Sequence, residues 1–264
     1  MKSLAIVTLL TIFSFSANAQ CKKTGQEIME KQESLQEVDF ELLVQDVTLE
    51  DLKTKVKENR QLRRHSMSKG EGKEKTLTTF LEPNDIKGTA LLNWKNKGRS
   101  DDQWLYLPAL RKMQRIASSG KRKYFMGTDF TYSDLEGENL ANYNYKCLKE
   151  EKCGKKTCWV IEAIPKDKDR VDETGYSKRI LEVRQKRYIT EKIDYYDKKG
   201  QLLKTLVNSK WKKFGKGLWR PQQSVMTRHG FHETTMSTKD RTVNKPIDDV
   251  TFTERFITKG MHTR

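Results

Sequence analysis

The feature that most constrains the fold is a short segment, Trp104-Leu105-Tyr106-Leu107, in which four large apolar side chains follow one another. Successive side chains of a β-strand point to opposite faces of its sheet. Trp104 and Tyr106 would therefore lie on one face, and Leu105 and Leu107 on the other. A sheet with one solvated face would place polar residues at every second position. We therefore predict that both faces of the sheet are covered at this strand.

A second apolar segment follows a basic strand predicted at residues 111–116 and a polar turn. Its large side chains surround Gly127 and follow neither the period of a helix nor that of a strand. They are Phe125, Met126, Phe130, Tyr132 and Leu135. This pattern indicates a mobile apolar flap.

The N-terminal residues have the features of an export signal. Lys2 precedes an apolar run at residues 4–15, which is followed by Ala17-Asn18-Ala19, an A-x-A cleavage motif. The run is shorter than the ~20 residues that a membrane-spanning helix needs. We predict a signal peptide at residues 1–19 and a soluble periplasmic protein that forms a single domain from residue 20 to residue 264.

Cys21 raises the question of a lipid anchor, because exported lipoproteins carry their lipid on an N-terminal cysteine. Such cysteines normally follow a small residue, and the residue before Cys21 is Gln20. We do not expect lipid anchoring at Cys21.

The chain is strongly basic, with a formal net charge of +16. This charge favours anionic partners, but an exported protein seldom meets nucleic acid, so no nucleic acid is expected. The lysines are spread over predicted turns and strand ends. There they either discourage sheet aggregation or attract the protein to an anionic membrane surface.

Four cysteines occur in the chain, at positions 21, 147, 153 and 158. Cys147 and Cys158 flank a predicted hairpin, so a disulfide between them is geometrically reasonable in an oxidising compartment, and Cys153 with Cys158 is the competing pair. The spacing of zinc ligands is missing. No metal and no cofactor is expected.

Short strand candidates dominate the chain. Thr24-Gly25-Gln26-Glu27 is a capping box that opens one N-terminal helix. Residues 40–64 are ambiguous, because a helix could start at Thr48. A hairpin of strands 53–57 and 61–68 with its turn at residues 58–60 is favoured. About eleven strands follow from there to a last one at residues 252–257, and residues 165–174 are predicted to form a surface loop. So many strands with short connections imply one strongly curved antiparallel sheet.

Several motifs resemble the outer-membrane lipoprotein-sorting (LolA-like) family. They are FLEPNDIKGTA at residues 80–90, WLYLPALRK at 104–112, FMGTDFTYSDL at 125–135, YYDKKG at 195–200 and Trp219-Arg220-Pro221. The resemblance covers about residues 25 to 257. The chain is longer than the core lipoprotein carriers and is similar to a longer branch associated with lipid-exporting membrane pumps.

The resemblance implies a mainly β (α+β) fold, a half-open curved antiparallel β-barrel whose concave apolar face is covered by helices and a lid. It also implies a periplasmic carrier, or chaperone, that shields lipid or lipoprotein acyl chains on their way to the outer membrane. Each buried methylene contributes about 0.8 kcal/mol, so a lipid tail needs such a shield to cross water at a useful rate. An inner-membrane exporter is a possible partner, and a docking protein of such an exporter that carries no cargo is the alternative function.

We assign candidate residues to the two parts of a lipid. The acyl chains are expected to contact Trp104, Tyr106, Phe125, Met126, Phe130 and Tyr132. A headgroup phosphate is expected to meet Arg111, Lys112 and Arg115. A hydrolase has less support, because the sequence has no nucleophile elbow and no phosphate-binding loop, and His229 and His232 have no companion ligand motif. No catalytic residue is therefore assigned.

Overall fold

A computed structural model describes residues 21–70, 73–96, 99–137 and 139–264. The signal peptide predicted at residues 1–19 lies outside the described residues. Within the described residues there are fifteen strands: β1 Phe40–Asp51, β2 Lys57–Ser68, β3 Glu74–Glu82, β4 Ala90–Lys95, β5 Asp102–Leu107, β6 Lys112–Arg115, β7 Tyr143–Cys153, β8 Lys156–Pro165, β9 Tyr176–Arg184, β10 Ile189–Asp197, β11 Leu202–Ser209, β12 Lys212–Lys213, β13 Trp219–Arg220, β14 Gln223–Arg228 and β15 His232–Val243. The α-helices are α1 Gly25–Gln36, α2 Lys168–Thr174 and α3 Glu254–Thr258. Short 3₁₀ helices lie at Pro108–Leu110, Ser118–Gly120, Ser133–Leu135, Leu140–Asn142, Asp249–Phe252 and Met261–Thr263.

Thirteen of the described strands form one antiparallel sheet in the order β6-β5-β4-β3-β2-β1-β15-β14-β11-β10-β9-β8-β7, and β12 and β13 form a separate small hairpin. The order begins with β6 and ends with β7, and these two strands are not paired with each other, so the sheet is curved but does not close. This is the mainly β, half-open architecture expected from the sequence. The sheet has two more strands than the eleven predicted.

The inner face of the sheet carries two apolar clusters. The larger one joins side chains from strands β1 to β5 and from β9, β10, β11, β14 and β15 to residues 125–135, which requires the sheet to curl around that segment. In the other, Ile28 and Met29 of α1 pack on β7, β8 and β9. Both clusters share Ile193 and therefore lie on the same face. The covering by a helix and a lid segment is as predicted.

The outer face at β2 to β5 is covered by the C-terminal residues. Phe252 and Ile257, both fully buried, pack against Tyr106 of β5 and its neighbours, whereas Leu105 belongs to the inner cluster. The prediction that both faces are covered at β5 is confirmed.

Three local predictions were wrong. The first hairpin turns between β1 and β2 and not at residues 58–60, so residues 48–51 form part of a strand. Residues 252–257 form the end of a 3₁₀ helix and most of α3 in place of a strand, and residues 165–174, predicted as a loop, contain α2.

The cysteines form two disulfides. Cys21 bonds to Cys147, and Cys153 bonds to Cys158. The pairing of Cys147 with Cys158 was therefore wrong, because Cys21, which precedes α1, lies beside β7 and bonds to Cys147. The competing pair Cys153–Cys158 is present. The sulfur of Cys21 is held in this disulfide, and the expectation that Cys21 carries no lipid anchor stays a prediction.

Candidate functional site

The apolar flap predicted from the sequence lies across the inner face of the sheet, and we call residues 124–135 the cover segment. Phe125, Phe130 and Tyr132 are buried there. The Phe125 ring stacks on Phe80 of β3, with 5.6 Å between the ring centroids, and meets Tyr132 edge-on at 5.5 Å. The cover segment thus fills much of the space inside the curved sheet. Its expected mobility stays a prediction.

A buried carboxylate attaches the cover segment to β14 and β15. Asp129, which is fully buried, accepts hydrogen bonds from Arg228 Nε and Thr234 Oγ1, both at 2.7 Å. His232 Nδ1 lies 2.7 Å from Asp129 Oδ2, the same oxygen that Thr234 contacts, and since a carboxylate only accepts, this nitrogen carries a proton. Buried charges need such partners, so these contacts fix the position of the segment.

A second buried pair holds the end of the cover segment. Lys204 of β11 is fully buried and places its Nζ 2.5 Å from Asp134 Oδ2. Tyr176 donates to the other carboxylate oxygen of Asp134 at 2.9 Å. Burial lowers the pKa of Lys204 and, together with the nearby Asp134 charge, raises the pKa of Tyr176 well above its usual value.

A small inner chamber of about 290 Å³ remains between the cover segment and the sheet. Its apolar lining consists of Leu43, Phe130, Leu135, Leu206, Pro221 and Met236. Its polar lining includes Glu41, Gln45, Arg64, Ser66, Arg220 and Arg241. The chamber is amphipathic and lies at the low end of the ~300–1,000 Å³ that ligand pockets span.

A larger outer cleft of about 1300 Å³ lies beside the inner chamber. It runs between α1 and residues 118–142 and is lined mostly by polar side chains. Glu41, Ser66, Glu74 and Arg220 line both cavities, so the two adjoin along this row of residues. An amphiphile can place its polar part at this shared row and an apolar chain in the chamber.

A buried ionic cluster bridges the gap between the two open ends of the sheet. Lys121 Nζ lies 2.6 Å from Glu136 and 2.7 Å from Glu173 of α2, and it donates to the Asp101 carbonyl next to β5 at 2.7 Å. Arg170 of α2 pairs with both glutamates. Burial alone would lower the pKa of Lys121, but the two glutamates raise it. The cluster connects the β5 end of the sheet to α2, which packs against β8 and β9 near the β7 end.

The predicted lipid-binding residues do not line one cavity. Trp104 and Tyr106 lie on the outer face with the C-terminal residues. Phe125, Phe130 and Tyr132 lie on the inner face, and of the six predicted residues only Phe130 lines the inner chamber. Half-buried Met126 packs against the same inner cluster.

The predicted headgroup residues lie elsewhere. Arg111, Lys112 and Arg115 are exposed at and beside β6, and none of them is among the residues that line the two cavities. Arg115 pairs with Asp102. The arginines that do line the chamber, Arg64, Arg220 and Arg241, were not singled out from the sequence, since only strand register brings them together.

His229 and His232 do have polar partners. His229 Nε2 lies 2.9 Å from Thr205 Oγ1, and His232 contacts Asp129 as described above. Within the described ranges no group of three or more His, Cys, Asp or Glu side chains is placed to hold a metal ion. Among those same residues, no helix combines the length and the apolar character needed to cross a membrane.

The curved open sheet with a covered inner face defines a protein of the lipoprotein-sorting fold. A crystal structure of a putative outer membrane lipoprotein-sorting protein domain from Vibrio parahaemolyticus is 32% identical and covers 89% of this chain and 98% of its own, with a TM-score of 0.83. A DUF1329 family protein from Desulfovibrio piger is 25% identical over 88% of this chain and 97% of its own, with a TM-score of 0.82. A LolA superfamily protein from Nitrosomonas europaea is 21% identical over 89% and 99%, with a TM-score of 0.68, and shares the fold.

A family model whose description is that of an uncharacterized protein matches residues 72–259. Among curated proteins there is no significant match. The chain belongs to the outer-membrane lipoprotein-sorting (LolA-like) family.

Proposed function

We propose that this protein is an exported, non-catalytic carrier that binds an acyl chain of a lipid or lipoprotein inside the curved sheet and moves it through the periplasm towards the outer membrane. The observation that carries the proposal is the inner chamber, a partly apolar space between the sheet and the cover segment that adjoins a polar cleft. The family of the chain supports the same role. The two disulfides support an oxidising compartment such as the periplasm.

The size of the chamber sets how binding would proceed. A space of about 290 Å³ holds only part of a long acyl chain, so further methylenes enter as Phe130 and Leu135 move aside. Each methylene taken from water contributes about 0.8 kcal/mol. The displaced side chains lose burial in exchange, which keeps net affinity moderate and allows the cargo to be released.

Extraction of the purified protein tests the proposal. The protein is purified without detergent and extracted with organic solvent, and the extract is analysed by mass spectrometry. A carrier yields acyl lipid in near-stoichiometric amount. Absence of lipid, together with failure to take up a fluorescent fatty acyl probe, would favour the alternative, a docking protein of a lipid-exporting pump that carries no cargo.

A matched pair of variants locates the binding site. Gln45 lines the inner chamber, whereas Gln61 lies on the neighbouring strand and on the other face, where it donates to Asp46 at 2.9 Å. Gln45→Trp fills the chamber and should reduce the amount of bound lipid. Gln61→Trp adds the same ring outside the chamber and should retain it. Equal lipid content in both variants would place the cargo elsewhere.

A further inference from the structure

The wall of the inner chamber contains two arginines in one row. Arg64 of β2 and Arg241 of β15 are both register partners of Leu43 on β1, so the three side chains lie side by side on the inner face. Adjacent strands are about 4.8 Å apart, so the two arginine backbones are about 10 Å apart and their long side chains can meet above Leu43. Both line the chamber together with Leu43.

Arg241 has capacity for a further acceptor. Its side chain is only 5% exposed, its Nε lies 3.1 Å from Glu41, and its buried Nη1 has no hydrogen-bond partner in the described part of the chain. Burial, opposed by Glu41 but reinforced by the charges of Arg220 and Arg64, lowers the pKa of Arg241 to about 10. An anion between these guanidinium groups would remove both the repulsion and the unmet donor.

The charges around the row leave a positive excess. Glu41 is shared by Arg241 and Arg220, and Arg220 is further occupied by the Gln36 carbonyl at the end of α1. Arg64 meets Glu74 only at 4.0 Å. The remaining carboxylate of the chamber, Asp134, is paired with Lys204. Three arginines therefore face two available glutamates.

We propose that Arg64 and Arg241 form a phosphate-binding site for the headgroup of a lipid whose acyl chain occupies the inner chamber. This inference rests on the proposed carrier function and names its cargo class as phosphate-bearing amphiphiles. Guanidinium groups donate paired hydrogen bonds that match phosphate oxygens. The apolar lining lies on the other side of the same chamber, so a single molecule satisfies both.

Calorimetric titration with three probes tests the site: dioctanoylphosphatidic acid, uncharged dioctanoylglycerol and inorganic phosphate. The wild-type protein should bind the phosphatidic acid at least about tenfold more tightly than the glycerol, the factor that one charge-assisted hydrogen bond supplies. Arg64→Gln, and Arg64→Gln combined with Arg241→Gln, should bring this preference to within about twofold by weakening the binding of the phosphatidic acid. Arg111→Gln, an exposed arginine outside both cavities, should behave as wild type.

The outcomes separate the two proposals. If all variants bind both lipids and Arg64→Gln keeps the full preference, the phosphate site is refuted and the carrier function stands. If wild type binds neither lipid, both fail. If inorganic phosphate binds at Arg64 as tightly as the phosphatidic acid, the site serves a free anion and the headgroup assignment is refuted. Because Arg64 is partly exposed and weakly paired, its single variant decides the question even if the double variant unfolds.

Discussion

The attachment of the cover segment to the sheet depends on one carboxylate, and Asp129→Asn tests it. Asp129 is fully buried and has three partners at 2.7 Å, of which Arg228 is charged. Asparagine keeps the shape of the Asp129 side chain but removes its negative charge, and its NH₂ group faces a hydrogen-bond donor where Asp129 has an acceptor oxygen. Breaking a buried ion pair costs about 3–5 kcal/mol, because the remaining charge loses its partner.

Urea denaturation measures the loss, and an exposed carboxylate supplies the control. Asp249, half exposed, pairs with Lys75 at 2.8 Å and Lys69 at 3.3 Å. Asp249→Asn should cost no more than about 1 kcal/mol, as exposed ion pairs do. If Asp129→Asn lowers the free energy of unfolding by the same small amount as Asp249→Asn, the assigned role of Asp129 is wrong.

Hydrogen exchange shows where the loss occurs. The amides of Phe125 and Thr128 bond within the cover segment, to Phe130 and Phe125 carbonyls at 2.8 and 2.9 Å. These amides should exchange faster in Asp129→Asn, whereas amides of β8 and β9 under α1 should not change. Uniformly faster exchange over the whole sheet would mean that the cover segment opens only when the whole protein unfolds.

Three further predictions concern other parts of the fold. A disulfide that closes a longer loop restricts the unfolded chain more and therefore stabilises the protein more. Loss of Cys21–Cys147, which spans 126 residues, should cost about 5 kcal/mol in chemical denaturation, and loss of Cys153–Cys158, which spans 5, about 2 kcal/mol. Equal losses would contradict this argument. Burial and the Arg63 charge lower the pKa of His65 to about 4, so the unfolded chain binds the proton at a higher pH than the folded protein does. The free energy of unfolding is therefore highest above about pH 6.5 and falls towards pH 4. His65→Leu should flatten this slope in denaturation curves recorded at each pH. Lys121→Met leaves two buried glutamates without their lysine and should lower stability by about 3–5 kcal/mol in thermal unfolding, whereas Lys198→Met, which removes an exposed ion pair, should cost about 1 kcal/mol or less.

Local signals in the sequence predicted the parts of the fold that depend on local chemistry. The capping box is present, with Thr24 accepting from the Glu27 amide and Glu27 returning the bond, so α1 begins where expected. The doubly apolar strand β5 is covered on both faces. Both features could be predicted from patterns within a few residues, and these predictions require no knowledge of register.

The first hairpin was placed wrongly because a turn signal was missed. Asp51 accepts hydrogen bonds from the Lys53 and Thr54 amides at 2.8 and 2.7 Å, and Lys55 adopts a left-handed φ of 62°. An aspartate that bonds to the amides two and three residues later favours a turn. The turn therefore follows Asp51 directly, and β1 and the first part of β2 occupy most of the ambiguous residues 40–64.

The C-terminal helix was mistaken for a strand. Phe252 and Phe256 are four residues apart, which is a helical spacing. Thr253 accepts from the Phe256 amide and caps α3. Residues 252–257 are too few to show a clear helical period, so their apolar content led to the prediction of a strand.

The chamber could not be predicted from the sequence. Arg64 and Arg241 are separated by 177 positions and become neighbours only because β1 lies between β2 and β15. A bulge in the β1–β15 register at Val44 and Gln45 helps to decide which residues of β15 face inwards. A shift of one residue in the strand register moves every side chain to the opposite face of the sheet. The amino-acid sequence alone therefore could not identify these arginines.

Because the cover segment fills much of the interior of the sheet, we expect Asp129→Asn and Gln45→Trp to change the binding of an acyl chain in opposite directions. If the cover segment must open for an acyl chain to enter fully, the apparent affinity is reduced by the small fraction of molecules that are open. Weakening its attachment by about 3 kcal/mol raises that fraction by about a hundredfold. Asp129→Asn should therefore take up a fluorescent fatty acyl probe faster and bind it more tightly, whereas Gln45→Trp, which fills the chamber, should bind it more weakly. Unchanged uptake in a folded Asp129→Asn protein would mean that cargo reaches its site without moving the cover segment.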